Sequence, residues 1–553
     1  MMLKMALATL IKKQCFDGLI YHVKLEYPQI FYQQVCPICT FRVFGIRSEV
    51  YSDHSFVRFL LEWIEICLLK KTCGTKEDQE GSAPSGEQVS DGKIYQDGHL
   101  AASTGNLCVA CLGIFQCLEV ATEYTPSMMP LKNKESSFSL SKANIIEAVR
   151  TVGYRFDSFS LEITVPGVVF VRERAVWQYL QDKHGSQSVL QGKHLTEHLV
   201  PLKEALKWAL VKPMQEALQA VYDSGSNFKI VLLYKHPETV GQLGFPGCSL
   251  KRKRKVAAPT EGSGDCDEPV ESLAAIQRCL ASISFKDFTA IYSSPPPKCN
   301  DACKLDVSCH RSSIFIGGRY LKFSRNVSQS PWLIDEDRKG DGSVQEIIAD
   351  VVFPHFKADS YKFHASGRED IDVRMLGRGR PFLVEIINAH SLPVKEEIQK
   401  LEITINTLKE GWVKVRNLQF VGNDARSHML EGESEKQKQY TAVIWLSKHV
   451  SDAEIGVFTA LKDLEIQQKT PVRVLHRRSP LVRPRIIHWL QLERISGGEQ
   501  YYLLHLRSQA GTYIKEFVHG DLGRTYPNVG SLFGCEAEIL QLDVTDIAMD
   551  LFD

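Results

Sequence analysis

A polar run from His364 to Pro381 leads directly into an apolar segment, and this junction most constrains the fold. The run, HASGREDIDVRMLGRGRP, holds three glycines, four arginines and three acidic residues, so it is too polar for a protein core. The residues that follow, FLVEII from Phe382 to Ile387, are apolar in the manner of a strand that enters a core. The sequence therefore predicts an active loop mounted on a β-sheet.

The loop carries a motif that points to a chemistry. The residues Gly367-Arg368-Glu369-Asp370 resemble the motif that carries the catalytic aspartate of pseudouridine synthases, and the longer GREDxDVRxLGxGRPF resembles the Pus10 family, one branch of these enzymes. The resemblance implies that Asp370 is the nucleophile. Asp372 is the competitor, and on an extended loop the two side chains would point to opposite sides. The alternative is a structural aspartate in an Asx-turn.

Conversion of uridine to pseudouridine needs one well-placed carboxylate. It breaks an N-glycosidic bond and forms a C–C bond to the same sugar, so it requires a nucleophile and a base but no catalytic metal or organic cofactor. The carboxylate must be ionised, and an opposite charge within a few ångströms favours that form. We therefore expect Arg368, Arg374 and a lysine from elsewhere in the chain to hold Asp370, and we also expect Arg368 to bind the substrate.

Three later segments contain residues that the family resemblance assigns to the same site. Tyr440 opens the strand YTAVIW, and its ring would stack on a base flipped out of the RNA. In GTYIKEF, Tyr513 or Ile514 would line the uracil pocket, and Lys515 would pair with the nucleophile. Leu542, in EILQLDV, would form an apolar wall of the pocket, although core packing explains it equally well. A tyrosine at the start of a strand is also more often part of a core.

Two CxxC pairs predict a structural zinc site. They are separated by 72 residues and consist of Cys36, Cys39, Cys108 and Cys111. Four thiolates would close a tetrahedral site and leave no position for a catalytic water. The Pus10 resemblance implies such paired cysteines in the N-terminal region; the alternative is four buried reduced thiols.

Length and composition bound the architecture. At about 150 residues per domain, a chain of 553 residues should form two to four domains. Its hydrophobic fraction of 44% and charged fraction of 24% are typical of a soluble protein, and no segment has the apolar length that a membrane span needs. The start, MMLKMALATLIKK, lacks a secretory cleavage site, so we expect an intracellular protein.

We expect an α+β fold in three parts. Residues 1–141 would form a zinc-bound region with a flexible insert at 70–98. Residues 142–292 would form a THUMP-like RNA-binding region with a basic loop at 251–269, an assignment that follows from the family resemblance alone. Residues 293–553 would form a mixed-sheet pseudouridine synthase catalytic domain. The run KRKRK in the basic loop is typical of nuclear import or RNA contact, so nucleus and cytoplasm are the expected locations, although a solvated loop would look the same.

Local positive charge predicts the partner. The formal net charge is zero, but the segment from Lys469 to His488 holds six Lys or Arg residues and no acidic residue. Such a segment favours the phosphates of tRNA or another structured RNA, although a solvated basic loop is the alternative. Basic and aromatic residues also interleave from Phe315 to Trp332, which predicts a second RNA contact. We expect no membrane contact and no obligate protein partner.

The family resemblance implies a tRNA pseudouridine synthase that acts in the T-loop, at uridine 54, uridine 55 or both. The alternative is an RNA-binding or RNA-processing accessory protein in which catalysis is vestigial or secondary. The presence of Asp370, Tyr440 and Lys515 favours the enzyme, because an inactive scaffold need not keep all three.

Overall fold

The computed structural model describes residues 35–43, 45, 47, 49–52, 107–119, 141–184, 199–243, 273–408 and 411–552. It divides into two compact units, Met1–His310 and Arg311–Asp553. The helix that apolar spacing predicts at Phe56–Leu69, the insert at 70–98 and the basic loop at 251–269 lie outside the described residues. The three-part division at residues 141 and 292 stays a prediction.

The first unit surrounds a four-stranded sheet in the order β2-β1-β3-β4. Its strands are β1 (Ser158–Thr164), β2 (Val221–Tyr222), β3 (Phe228–Lys235) and β4 (Lys304–Arg311). Its helices are α1 (Pro37–Val43), α2 (Ile114–Glu119), α3 (Lys142–Thr151), α4 (Val168–His184), α5 (Leu202–Leu218), α6 (Leu273–Ser282) and α7 (Phe285–Ile291), with 3₁₀ turns at Glu49–Ser52 and Pro237–Leu243. β1 pairs in parallel with both β2 and β3.

Local patterns explain part of this unit. FKIVLLY predicts a buried strand, and β3 confirms it: residues 228, 230, 232 and 234 are buried on one face. The stretch from Ser160 to Trp177 predicts a strand and a turn, but only its first part is a strand. The rest begins α4, because Val168, Val171 and Ala175 recur at helical spacing and are buried.

A predicted break in α5 is also wrong. A proline in this sequence predicts an interruption of the helix at Pro213, yet α5 runs continuously through it. Proline removes one backbone hydrogen bond from a helix. Buried side chains on both sides, Leu206, Leu210 and Met214, keep the apolar face of the helix continuous across that position and offset the missing bond.

The second unit is built on a ten-stranded mixed sheet. Its strands follow the order β12-β5-β11-β18-β13-β16-β15-β14-β17, and β10 pairs with β11 off this path. They are β5 (Ile314–Lys322), β10 (Ser360–Ala365), β11 (Arg374–Ile387), β12 (Val413–Val421), β13 (Lys438–Leu446), β14 (Lys462–Lys469), β15 (Val482–Arg494), β16 (Tyr501–Ser508), β17 (Thr525–Tyr526) and β18 (Ala537–Ile547). Two small sheets pair β6 (Val327–Ser328) with β9 (Gly342–Ser343) and β7 (Leu333–Ile334) with β8 (Asp337–Arg338).

Helices cover this sheet. They are α8 (Val344–Val352), α9 (Lys395–Leu408), α10 (Ala425–Glu435), α11 (Asp452–Ala460), α12 (Ile514–His519) and α13 (Val529–Phe533), with 3₁₀ turns at Phe353–Phe356 and Val472–Val474. The amphipathic pattern of VKEEIQKLEITINTL is confirmed as α9, whose Ile398, Leu401 and Ile405 are buried. The α+β class with mixed sheets is confirmed.

The sheet begins earlier in the chain than the polar run suggests. His364 and Ala365 end β10, and β11 starts at Arg374, so the loop is confined to residues 366–373. Gly377 and Gly379 have φ values of +63° and +85° at an irregularity in the pairing of β11 with β5. A Cβ at Gly377 would overlap the carbonyl oxygen of Thr545, so only glycine lets the two backbones approach this closely.

Among the described residues, no helix combines the length and the apolar character that crossing a bilayer requires.

Candidate active site

The loop between β10 and β11 presents Asp370, and a buried lysine fixes the backbone beneath it. The Lys322 ammonium donates to the carbonyl oxygens of Asp370 at 3.2 Å, Ile371 at 2.8 Å and Val327 at 2.8 Å. Burial lowers the pKa of Lys322 to about 8, although the carboxylates nearby oppose that shift. The Asp370 side chain itself is 40% exposed and is therefore accessible to a substrate.

Glu369 anchors the same loop from the inside. Its buried carboxylate accepts from Arg380 Nε at 2.8 Å and from the Tyr320 hydroxyl at 2.9 Å to each oxygen. Tyr320, Lys322 and Arg319 are almost fully buried. The prediction that these three residues of the 315–332 segment contact RNA is therefore wrong, because they stabilise the interior of the unit.

Two cations converge on Asp370. Arg473 Nη1 lies 3.1 Å from Asp370 Oδ2 and 3.4 Å from Oδ1. Lys515 Nζ lies 3.4 Å from the same Oδ2, and it is closer to Asp372, at 2.8 and 3.0 Å from that carboxylate's oxygens. The expected opposite orientation of the two aspartates is wrong, because the loop is a turn and both carboxylates reach one lysine.

Lys515 also sets the charge of Asp372. Partial burial would raise the pKa of the Asp372 carboxyl, but the hydrogen bond and charge of Lys515 outweigh that effect and leave the pKa below its usual range. Asp372 is therefore held as an anion beside Asp370.

The two arginines of the motif that were expected to hold Asp370 do not do so. Arg374 pairs with Asp543 on β18, at 2.9 Å from its Nε and 2.5 Å from its Nη2, and thereby joins the parallel strands β11 and β18. Arg368 is exposed, and within the described part of the chain no hydrogen bond or ion pair of its side chain is found. A substrate contact through Arg368 stays a prediction.

Tyr440 lies on β13, beside Leu506 of β16 and Val544 of β18. Burial raises the pKa of its hydroxyl to about 12, while Arg380 and a hydrogen bond with Ser508 act in the opposite direction. The hydroxyl is therefore protonated at neutral pH. Arg380, whose charge acts on Tyr440, also forms an ion pair with Glu369 of the Asp370 loop.

The segment GTYIKEF forms a turn that enters the short helix α12. Tyr513 precedes the helix, and the Gln468 side chain fixes it by accepting from its N–H at 3.0 Å and donating to its carbonyl at 2.9 Å. The guanidinium of Arg473 lies over the Tyr513 ring, 5.9 Å from its centroid. Ile514 is 4% exposed and belongs to the core, so this geometry favours Tyr513 over Ile514 as a pocket residue.

Leu542, on β18, is a core residue of the second unit. It is 7% exposed and packs in the core of the unit. Arg325 Nη1 donates to the carbonyls of both Leu542 and Asp372, at 2.9 and 2.8 Å. Core packing is thus observed for Leu542, and its role as a wall of the uracil pocket stays a prediction.

Sequence reasoning missed Arg473 and Glu516. Arg473 lies in the basic segment from Lys469 to His488, where the clustering of charge predicted a phosphate contact, and its Nε donates instead to the buried Glu516 at 2.7 Å. Glu516 directly follows Lys515 in the segment GTYIKEF, so that segment was the available signal. A linear pattern gives no reason to pair that buried acid with an arginine 43 residues earlier in the chain.

In the first unit the four predicted cysteines meet. Their sulfur atoms all lie within 4.8 Å of one another, and the four residues are buried. The Cys36 and Cys111 sulfurs are 3.8 Å apart, which matches the edge of a tetrahedron with metal–sulfur bonds of about 2.3 Å. The group has the donor set and the size for a closed structural metal site, in which no coordination position would be left for a catalytic water.

Comparison with known proteins identifies the family to which the chain belongs. A model described as "Pus10, C-terminal" matches residues 315–548, and one described as "Eukaryotic Pus10, N-terminal" matches residues 108–309. A Homo sapiens protein named tRNA pseudouridine synthase Pus10 is 36% identical over 544 residues, which cover 93% of this chain and 95% of the human protein. The chain belongs to the Pus10 family.

A second Pus10 relative, a putative tRNA pseudouridine synthase of Drosophila melanogaster, is 30% identical over 93% of this chain and 95% of its own. A solved structure titled as a Cbf5-Nop10-Gar1 complex aligns with 42% of this chain and 48% of its own at 16% identity, with a TM-score of 0.23. The family resemblance predicted from GREDxDVRxLGxGRPF is confirmed by the Pus10 models and relatives.

Proposed function

We propose that this member of the Pus10 family is a tRNA pseudouridine synthase, an isomerase that converts uridine to pseudouridine in the T-loop, at position 54, position 55 or both. The observation that carries the proposal is the half-exposed Asp370 carboxylate, which lies within 3.4 Å of two cations. Its loop is held by Lys322, whose ammonium donates to the loop carbonyl oxygens. The names of the Pus10 relatives support the substrate class.

In this mechanism Asp370 is the nucleophile. Arg473 and Lys515 form ion pairs with the Asp370 carboxylate and orient it towards the nucleoside. Asp370 forms a covalent bond either to C1′ of the ribose or to C6 of the uracil, and the bond between C1′ and N1 breaks. The detached uracil rotates, C5 joins C1′, and the bond to Asp370 breaks again. The proton of C5 is lost and N1 gains one, so the product is an isomer of the substrate. The ring of Tyr440 stacks on the flipped base, and its protonated hydroxyl is available for hydrogen bonding.

The basic segment from Lys469 to His488 supplies the RNA surface. Arg477 and Arg478 are exposed and follow shortly after the 3₁₀ turn that carries Arg473. Since the same segment carries Arg473, which contacts Asp370, its exposed arginines support phosphate contacts close to the proposed nucleophile, as a structured RNA such as a tRNA arm requires.

The first unit is proposed to hold one structural zinc ion through Cys36, Cys39, Cys108 and Cys111, and to contribute a THUMP-like RNA-binding surface. The mutual approach of the four sulfurs supports the metal. The chemistry proposed for Asp370 uses neither this ion nor an organic cofactor. We also propose a nuclear and cytoplasmic location on the basis of the KRKRK run.

The test is conversion of uridine in tRNA transcripts by the full-length protein. Three transcripts would be compared, with uridine at both positions 54 and 55 or with cytidine replacing one of them, and pseudouridine would be mapped at single-nucleotide resolution. We expect product at one or both positions. Tight binding without any product would favour the accessory RNA-binding protein instead.

A further inference from the structure

Glu516 is a buried acid whose surroundings call for an explanation. Its side chain is 2% exposed, and its Oε1 accepts from Arg473 Nε at 2.7 Å. Its Oε2 is also buried and has no hydrogen-bond partner among the described residues. Burying a carboxylate with one oxygen unpaired costs free energy, and a single ion pair does not fully offset that cost.

The other end of Arg473 reaches Asp370. A guanidinium is planar and rigid, so a bond that fixes Nε also limits where Nη1 can lie. Arg473 Nη1 is 3.1 Å from the Asp370 carboxylate, whereas Lys515 Nζ is 3.4 Å from Asp370 and 2.8 Å from Asp372. The two cations thus have separate principal partners.

We propose that Glu516 is a positioning residue that acts through Arg473, and that Arg473, not Lys515 alone, orients the Asp370 carboxylate for attack on the nucleoside. Lys515 principally holds Asp372 and so shapes the turn. This inference rests on the proposed synthase activity and extends it, because it assigns a second cation and its buried anchor to the nucleophile.

A simple phosphate contact explains Arg473 less well. Its Nε and Nη1 are both committed to carboxylates, and a guanidinium between two anions attracts a phosphate weakly. Arg477 and Arg478, only a few residues later, are exposed and better placed for RNA. Arg473 therefore serves the acid, although it belongs to the basic segment.

The experiment compares single-turnover rates at saturating enzyme with separately measured tRNA affinities. The variants are Arg473→Gln, Arg473→Lys, Glu516→Gln and the double variant Arg473→Gln/Glu516→Gln. Arg477→Gln is the matched arginine comparison, and Glu465→Gln, an exposed acid on β14, is the matched acid control. Thermal unfolding of each protein verifies that it is folded.

We expect Arg473→Gln to slow the chemical step about 100-fold and Glu516→Gln about 10-fold, since misplacing a reacting group by about 1 Å has effects of this size. Affinity for tRNA should change less than about threefold in Glu516→Gln, since Glu516 is buried. Arg473→Lys should recover part of the rate that Arg473→Gln removes. Arg477→Gln should weaken tRNA binding, because Arg477 belongs to the proposed RNA surface. Glu465→Gln should change neither the affinity nor the rate.

The double variant decides whether Glu516 acts through Arg473. If it does, Glu516→Gln should have almost no further effect once Arg473 is replaced, because coupled residues are not additive. If the wild type is active, either of two results would overturn the inference. One is a folded Glu516→Gln variant that reacts at the wild-type rate. The other is a double variant whose loss of rate equals the product of the losses in the two single variants. A wild type that makes no pseudouridine would instead overturn the proposed function, and the inference with it.

Discussion

Replacing Lys322 by methionine should destabilise the second unit, and the destabilisation should grow with pH. Lys322 is fully buried, and its ammonium donates to three carbonyl oxygens, two of them in the Asp370 loop. Methionine fills a similar volume but leaves these acceptors unpaired. Each unpaired buried carbonyl oxygen costs about 1–3 kcal/mol. Removal of the buried ammonium charge offsets part of that cost, so we expect the free energy of unfolding to fall by about 3 kcal/mol at neutral pH.

The pH dependence follows from the lowered pKa. Burial moves the pKa of Lys322 from 10.5 to about 8 in the folded protein. Between these values the unfolded chain binds more protons than the folded chain, so the wild-type free energy of unfolding rises with pH. The methionine variant lacks this contribution. The difference between the two proteins should therefore widen by about 2 kcal/mol between about pH 7.5 and about pH 9.5.

The assay must report the second unit alone, because a chain of two units need not unfold in one step. Urea unfolding of the full-length protein at each pH, followed by pulsed hydrogen exchange and mass spectrometry of the β5 and β11 peptides, meets that need. A difference between wild type and Lys322→Met that stays constant or narrows as the pH rises would refute the argument, since it would mean that the folded protein does not release the Lys322 proton early.

Two further predictions concern the metal and the RNA surface. Replacing Cys36 or Cys108 by serine should release one zinc ion per chain and lower the stability of the first unit, as measured by metal analysis and thermal unfolding; wild-type protein purified without chelators that contains no zinc would contradict this. Reversing the charge of both Arg477 and Arg478 to glutamate should weaken tRNA binding and reduce the slope of log affinity against log salt by about 0.9 for each phosphate that the protein no longer neutralises. Unchanged affinity at several salt concentrations would place the RNA surface elsewhere.

The sequence predicted the parts of the site that are contiguous in the chain. The loop after β10, the strand β11 that follows it and the turn into α12 are each encoded in one local pattern of polar, apolar and glycine residues. Gly377 shows how strongly such a pattern can constrain the backbone, because the neighbouring carbonyl of Thr545 leaves no space for a side chain. Local physics and a family motif therefore suffice for these elements.

Pairings between distant residues could not be predicted in the same way. The partners Arg473 and Asp370 are 103 residues apart, and a basic segment does not reveal which of its arginines points inward. Likewise, Arg374 lies close to Asp370 in sequence, but the parallel pairing of β11 with β18 gives it Asp543 as its partner. The sheet topology determines these contacts, and the pattern of residues along the chain does not show which strands are neighbours.

Backbone predictions failed where tertiary burial outweighed local preference. α4 contains several β-branched residues, which favour extended structure, yet the burial of Val168, Val171 and Ala175 on one face selects the helix. α5 continues through Pro213 for a similar reason. Both helices belong to the first unit.

The identity of the nucleophile can be tested most directly by measuring pseudouridine formation in a tRNA transcript by the wild type, Asp370→Asn and Asp372→Asn, each at saturating enzyme and with its tRNA affinity measured in parallel. The wild type should form product, Asp370→Asn should bind the tRNA and form none, and Asp372→Asn should still form product at a reduced rate. Product from Asp370→Asn at the wild-type rate, or a complete absence of product confined to Asp372→Asn, would contradict the assignment.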